Sequence, residues 1–561
     1  MKFLKYISFL LICTACHSQK DINVDSKAMN KMPNILWIVT EDISPTLSFY
    51  GDHTAKTPNL DAMAKESMVY DNAFAVVGVC GPSRSAIITG MYPTSIGTMH
   101  MRTGKDIHSW GKRTYSKDAN KTDLEGGTII EYSTVIPDEV KCYTEYLRAA
   151  GYYCTNNQKT DYQFAAPVTA WDENHNKAHW RNAPKDQPFF SVFNIGTTHE
   201  SQLWKNSNLP LTVNPNEVNV PPYLPDNEAT RNTIARHYSN VELMDAEVGA
   251  FIKQLKDDGL YDNTIIFFYS DHGGPLPRQK REIYDSGLKV PFMIKGINTE
   301  SGRTDRLISF VDLAPTMLSL AGVNPAEYME GQAFLGDFDT DKRTYVFGSS
   351  DRFDEYTDRI RALRNKQFLY LRNDYPELLK YKDVAYRKNI EMMPVFLNLK
   401  DEHKLNSIQN LWFQTKTKEE LYDCEKDPHN INNLAEDPAY AYVLTEMREA
   451  LEGHLKNRND YGLIPESEMV KTMWPDFEQP ITNSVSLNAV DISEGKKIAL
   501  STKTKGASIA YIISNQPDQK FDFNSGWKLY TEPVALEKGQ TLYAIAQRIG
   551  FRESEIVSQT Y

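Results

Sequence analysis

A chain of 561 residues, 41% hydrophobic and 24% charged, is globular, longer than one ordinary domain, and able to bury two or three cores. Its net charge of -12 argues against general nucleic-acid binding, and an anionic substrate would have to be held by a local basic site against the overall field. Six cysteines, with Cys13 and Cys16 close to the N-terminus, are too few for a disulfide framework.

Residues 1–16 read as a targeting segment. Lys2 and Lys5 precede a short apolar run, Ile7 to Ile12, which cannot span a bilayer. Thr14-Ala15-Cys16 is similar to the end of a bacterial lipoprotein signal, with Cys16 becoming the lipidated N-terminus; an ordinary secretory peptide cleaved elsewhere is the alternative. Residues 17–32 are a polar tether. The expected location is the periplasm or outer membrane, with the lipid anchor as the only membrane contact.

Residues 33–345 alternate buried-type strands with amphipathic helices. Asn34 to Thr40 is a continuous apolar run of strand length, ending in Glu41-Asp42. Thr57-Pro58-Asn59-Leu60-Asp61 starts a helix, and another follows Val79-Cys80-Gly81-Pro82-Ser83-Arg84, with Pro82 suited to the first helical position. A helix over Pro137 to Ala150 leads to a strand at Tyr152-Tyr153-Cys154, with Lys159 and Asp161 just beyond. The strand Pro188 to Ile195 precedes His199, and a long helix carries Ile234, Tyr238, Val241, Met244 and Val248 on one stripe. Thr264 to Tyr269 is a strand ending in Ser270-Asp271-His272-Gly273, with Lys280 in the next loop. Val290 to Ile294 is a short strand and Asp312 to Ala321 a helix. The pattern predicts an α/β fold, a mainly parallel sheet flanked by helices. Residues 346–470 read as a smaller α+β subdomain and residues 480–561, with alternating runs such as Ile509 to Ile513, as a small β-sandwich.

In parallel sheets ligands bind outside the carboxyl ends of the strands, and Glu41, Asp42, Lys159, His199, Asp271 and His272 all fall there. Cys80 sits at a helix N-terminus, which favours an anion, and Arg84 adds a fork of donors. Glu41, Asp42 and Asp271 with His272 point to a divalent cation: the oxygen-rich set favours Ca²⁺ or Mg²⁺ over Zn²⁺, while the histidine leaves a transition metal open. That cation with Arg84, Lys159 and Lys280 makes a positive pocket for sulfate or phosphate.

Cys80-Gly81-Pro82-Ser83-Arg84 followed by Thr89-Gly90 resembles the signature of the type I sulfatases, of the alkaline-phosphatase-like superfamily. Asn34-Ile35 leading to Glu41-Asp42, Thr57-Pro58-Asn59-Leu60-Asp61, Ser270-Asp271-His272-Gly273 and Glu420-Leu421-Tyr422-Asp423 are similar to family blocks in family order. The likeness covers about residues 33–460, nearest to heparan N-sulfatase-like and bacterial polysaccharide enzymes. The tail around Gly526-Trp527-Lys528-Leu529-Tyr530 resembles a small chitobiase-type C-terminal domain.

The resemblance implies that a maturation enzyme oxidises Cys80 to formylglycine, whose hydrate attacks the sulfur of a sulfated carbohydrate. It implies His199 as the acid that protonates the leaving alcohol, Lys159 and Lys280 as sulfate contacts, and Arg84 as the group that steadies the formylglycine. The implied metal set is Glu41, Asp42, the modified Cys80, Asp271 and His272, with Ca²⁺ favoured. Glu41 replaces the usual first Asp, His272 a frequent Asn, and Asp161 a histidine that assists sulfate elimination; His100 is a stand-in, a substrate contact or a satisfied loop histidine. Asp351, Arg352 and Asp354 are placed to meet the sugar. The expected substrate is an algal polysaccharide such as ulvan, with glycosaminoglycans as the alternative. Phosphate ester hydrolysis and non-catalytic glycan binding are the competing classes.

Overall fold

The computed structural model describes residues 32–104, 115–116, 121–297, 300–492, 495–516 and 519–561; the targeting segment, Cys16 and nearly all of the tether lie outside them. The central sheet is built from β1 (Asn34–Thr40), β2 (Met68–Phe74), β3 (Tyr153–Asn157), β4 (Glu173–Asn174), β5 (Phe189–Ile195), β6 (Thr264–Ser270), β7 (Lys289–Val290), β8 (Phe292–Lys295) and β9 (Gly302–Ser309). Their order is β9-β2-β8-β6-β1-β5-β3-β4, with β7 on β2. The run β6-β1-β5-β3-β4 is parallel, whereas β8 lies antiparallel between β2 and β6. Pro291 separates β7 from β8, because it supplies no N–H to a ladder, so the expected strand from Val290 to Ile294 is two short ones.

β1 is apolar on both faces because both are covered. Leu36 and Ile38 join Ile234, Val241, Met244 and Val248 of α4 (Glu228–Asp257) in one core. Trp37 points the other way, against Tyr143 of α3 (Tyr143–Ala149), Phe190, Phe267 and Tyr269. Helix α1 (Pro58–Ala64) packs against α4, and α2 (Cys80–Thr89) against α5 (Leu313–Leu320). Every residue of α2 is buried. Cys80 itself opens α2, so Pro82 occupies its third position, where an N–H would still lack an intrahelical acceptor.

A second sheet, β10 (Val346–Ser350), β11 (Ile360–Arg364), β12 (Phe368–Asn373) and β13 (Glu419–Asp423), is antiparallel in chain order. Phe347, Leu363, Tyr370 and Leu421 from it share a core with Val76, Val79 and Cys80, closed by Leu444, Met447 and Leu451 of α6 (Ala441–Lys456). Helix α7 (Glu466–Met473) follows. The tail forms two further antiparallel sheets, one of three strands and one of four. It holds the segment ahead of Lys159: Lys141 Nζ donates to Gly506 O at 2.6 Å, Arg148 Nη2 to Trp527 O at 2.8 Å, and Arg548 to Ile136 O. Those contacts keep residues 137–142 as a turn, and the helix expected from Pro137 begins only at Tyr143. Cys142 and Cys154 are free buried thiols. Among the described residues no helix is long and apolar enough to cross a membrane.

Candidate active site

Strands β3, β5, β1 and β6 are neighbours and parallel, so their carboxyl ends share one edge. Lys159 follows β3, His199 follows β5, Glu41-Asp42 follow β1 and Asp271-His272 follow β6. The first turn of α2 meets this edge: Cys80 Sγ lies 3.3 Å from His272 Nε2 and 3.5 Å from Lys280 Nζ. Gly81 permits the approach, since a Cβ there would sit 1.6 Å from Gln163 Nε2. Left-handed backbone at Asp42, Asp161 and Gln163 falls among these groups, beside Lys280, Lys159 and Gly81, as strained residues do at functional sites.

Asp42 is the most heavily used group. Its Oδ2 accepts from Glu200 N at 2.7 Å and from Lys280 Nζ at 2.6 Å. Burial opposes its charge, but Lys280, His199 and His272 hold the carboxyl well below the usual range. Asp271 Oδ2 accepts from Arg84 Nε at 3.0 Å, while Arg84 Nη1 donates to Asn194 Oδ1 at 2.7 Å. His272 Nδ1 faces Gly273 O at 2.9 Å, which turns Nε2 toward Asp42 Oδ1 at 3.1 Å and Asp271 Oδ1 at 3.7 Å. Burial disfavours a charge on this ring, yet Asp271 and Asp42 push its pKa up to about 10. The carboxylates therefore select positive charge at this point, a proton or a metal ion.

The donor set fits a metal. Ligating atoms of Asp42, Cys80, Asp271 and His272 lie within 4.8 Å of one another, as do those of Glu41, Asp42, Cys80 and His199. Asp42 Oδ1 is buried without a well-directed hydrogen bond, an orphan that a cation would satisfy. Glu41 belongs to the second group, and its Oε2 pairs with Lys159 Nζ at 2.5 Å. Lys159 also meets Asp161 at 3.4 Å. His199 Nε2 stands 3.9 Å from Glu41 Oε2, and its Nδ1 lies 3.2 Å from Ser201 N and 2.9 Å from Ser201 Oγ. Burial, Lys280 and Lys159 keep its pKa well below the ordinary value. Arg84 Nη2 is buried with no partner among the described residues.

Several residues near this edge escaped the sequence reading. Glu200 takes a bidentate Arg281, at 2.8 and 3.0 Å, and lies 3.9 Å from Lys280. Asn194 anchors Arg84, and Arg387 Nη2 donates to Lys280 O at 3.0 Å. Glu200 and Arg281 each directly follow a singled-out residue, His199 and Lys280, which is the signal that was there to use.

Other singled-out residues lie elsewhere. His100 Nδ1 accepts from Arg352 N at 3.2 Å, and its Nε2 is 3.7 Å from Glu466. Arg352 chelates Glu466, Asp351 chelates Arg361, and Asp354 bridges Arg281 and Arg102. All three singled-out residues are buried, and their charged atoms are engaged by partners within the joint between the two sheets.

Residues 33–323 match the family model described as Sulfatase. The chain is 42% identical to a protein of Formosa agariphila described as an ulvan-active sulfatase, across 99% of this chain and 97% of that one. It is 23% identical to the N-sulphoglucosamine sulphohydrolase of Homo sapiens, across 81% and 95%. A solved structure in complex with D-glucosamine-2-N,6-O-disulfate superposes with a TM-score of 0.52 at 17% identity, across 78% of this chain and 99% of that one, and shares the fold. A match over more than half of the chain and a full-length relative agree with the strand-end geometry: the chain belongs to the sulfatase family, enzymes that hydrolyse sulfuric esters.

Proposed function

We propose that this sulfatase removes sulfate from ulvan, a sulfated algal polysaccharide, or from its oligosaccharides, using a formylglycine made from Cys80 by a maturation enzyme. The observation that carries the reading is the placement of Cys80 Sγ, which marks where the modified residue's oxygen would sit. It lies at the first turn of α2, 3.3 Å from His272 and 3.5 Å from Lys280. The 42% identical Formosa agariphila relative supports ulvan as the substrate.

Hydrated formylglycine supplies one hydroxyl to attack sulfur and a second whose loss of a proton expels sulfate. Asp42, Asp271 and His272, with Glu41 and the modified Cys80, would hold Ca²⁺, or Mg²⁺ in its place, supplying Lewis-acid charge beside the sulfate. Arg84, one helical turn after residue 80, has its Nη2 buried and unpartnered and so available to fix an oxygen there. Lys159 and Lys280 supply cationic donors for the sulfate oxygens. His199 is placed to pass a proton to the departing alcohol: its Nδ1, close to Ser201 N and Oγ, fixes the ring, which burial, Lys280 and Lys159 keep neutral until a bound sulfate anion offsets the lysines' charge. Lys2, Lys5 and Thr14-Ala15-Cys16 support export and lipid attachment at Cys16, which brings the enzyme to external polysaccharide.

Desulfation of defined ulvan oligosaccharides, compared with heparan-type ones, tests the substrate; faster release from the heparan set would favour the second reading, which the human relative supports. Mass analysis of the Cys80 peptide from the native host tests the chemistry. A loss of sulfur with gain of an aldehyde is expected, and an unmodified thiol throughout would overturn it.

A further inference from the structure

Three side chains on segments that also carry contacts to the active-site residues have no role in its chemistry. Arg102 follows Met101, whose Sδ is 3.0 Å from the position a Cβ on Gly81 would take. Trp204 lies in the short helix Gln202–Lys205, just after His199. Tyr386 precedes Arg387, which holds the Lys280 carbonyl. The three meet: the Arg102 guanidinium carbon stands 4.9 Å over the Tyr386 ring, and Tyr386 packs edge-on against Trp204 with centroids 5.1 Å apart.

Arg102 is tied to the centre by charge. Lys280 pairs with Asp42 and Glu200, Glu200 with Arg281, Arg281 with Asp354, and Asp354 Oδ1 with Arg102 Nε at 2.5 Å. Every link before the last is buried, whereas the Arg102 side chain is 45% exposed. Among the described residues its two Nη nitrogens have no hydrogen-bond partner. Its backbone is left-handed, φ 61°, a conformation uncommon outside glycine that persists where surroundings impose it. A planar cationic fork held over an aromatic ring is suited to bidentate capture of an oxyanion, and Trp204 and Tyr386, both only half-buried, leave aromatic surface beside it for a sugar.

We infer that Arg102, Trp204 and Tyr386 form a subsite for the sugar next to the one that loses sulfate, with Arg102 binding a carboxylate or sulfate on that neighbour. The inference rests on the sulfatase reading of the site and adds the requirement for a second anionic group. It makes the substrate a polyanionic saccharide rather than any sulfate ester.

The test uses the full chain and three matched oligosaccharides whose neighbouring sugar carries a carboxylate, a sulfate, or a carboxyl reduced to a neutral alcohol. Wild type is expected to favour at least one anionic substrate over the neutral one by about 10-fold or more in kcat/KM. Arg102→Ala is expected to erase that preference through KM, by about 10- to 100-fold, and Arg102→Lys to restore part of it. The arm that loses the preference identifies carboxylate or sulfate as the recognised group. Trp204→Ala is expected to weaken all three substrates alike. No preference in wild type, or an equal Arg102→Ala loss on all three, overturns the subsite while leaving the enzyme a sulfatase. Absence of sulfate release from all three by wild type overturns the substrate reading and the subsite together. The wild-type comparison keeps the test decisive even if a variant fails to fold.

Discussion

Two regions of this molecule bury charge densely, and they differ in one respect. In the joint around Arg352, each guanidinium is fully answered: Arg352 reaches Glu466 through Nε and Nη2, and Met101 O and Asp354 O through Nη1. Arg361 likewise takes Asp351 on one side and Asp460 on the other. At the strand ends, Arg84, Lys159 and Lys280 face Glu41, Asp42 and Asp271, yet Arg84 Nη2 has no partner among the described residues and Asp42 Oδ1 has only the His272 ring, 3.1 Å away and poorly directed. Burial and charge are common to both regions. An unanswered guanidinium nitrogen, Arg84 Nη2, marks the strand ends as the place where an anion or oxygen ligand binds, whereas the orphan at the joint is a ring nitrogen, His100 Nε2.

The comparison makes a sharp demand: variants at the strand ends should lose turnover and keep stability, and variants at the joint should do the reverse. Cys80→Ala is the extreme case, with sulfate release expected to fall by at least about 10⁴-fold and the melting temperature to stay within a few degrees. Retained turnover would remove Cys80 from the chemistry. Glu466→Ala strands the buried Arg352 and should destabilise the fold by about 3–5 kcal/mol, measured by denaturant unfolding, with kcat/KM per folded molecule nearly unchanged. Pairing it with Arg352→Met should recover much of that loss. If Glu466→Ala instead cut turnover at full stability, the division between the regions would collapse.

This division is also where the sequence stopped being readable. The strand ends were legible because a parallel sheet converts chain order into position: a polar residue just past an apolar run lands on one edge. Glu41, Lys159, His199 and Asp271 are brought together on that logic alone. The joint had no such grammar. Asp351-Arg352 and Asp354 follow β10 and look like an exposed polar loop, but the partner of Arg352 is 114 residues away and the second partner of Arg361 is 99 away. Pairings at such distance leave no periodic trace. The turn at residues 137–142 was misread for the same reason, since Gly506 and Arg548 in the tail impose it from afar. The Cys80 helix was legible as a helix but not in its ends: it opens two residues before Pro82, and Gly90, at φ 71°, closes it.

A third measurement asks whether His199 acts on the leaving group or merely completes the site. His199→Ala should slow release from a sugar alcohol by about 10²–10³-fold and from an aryl sulfate, whose leaving group needs no proton, by far less. An equal loss on both would reassign His199 to positioning.

The smallest effect probes the loosest contact of the joint. His100 is buried, and although Glu466 favours its charge, burial and then Arg352 bring its pKa down to about 4. The folded ring is therefore neutral where the unfolded one, near 6.5, takes a proton. Between pH 6.5 and 4 the unfolded chain binds more protons than the native state, so stability falls as the pH falls through that window. The difference is worth roughly 3 kcal/mol when fully expressed. Glu466, held near pKa 2 by Arg352 against its burial, adds its own loss only below the ordinary carboxylate range near 4.5. His237 and His454 are also lowered, to about 4 and about 3, chiefly by burial, so the whole curve cannot assign the effect. The difference between wild type and His100→Gln can. Melting temperatures of the two should converge as the pH drops from 7 to 5, because only wild type carries an imidazole that the unfolded chain protonates in this range. Parallel curves would mean that the ring already shares a proton with Glu466, and that the joint, like the strand ends, leaves a charge to be answered.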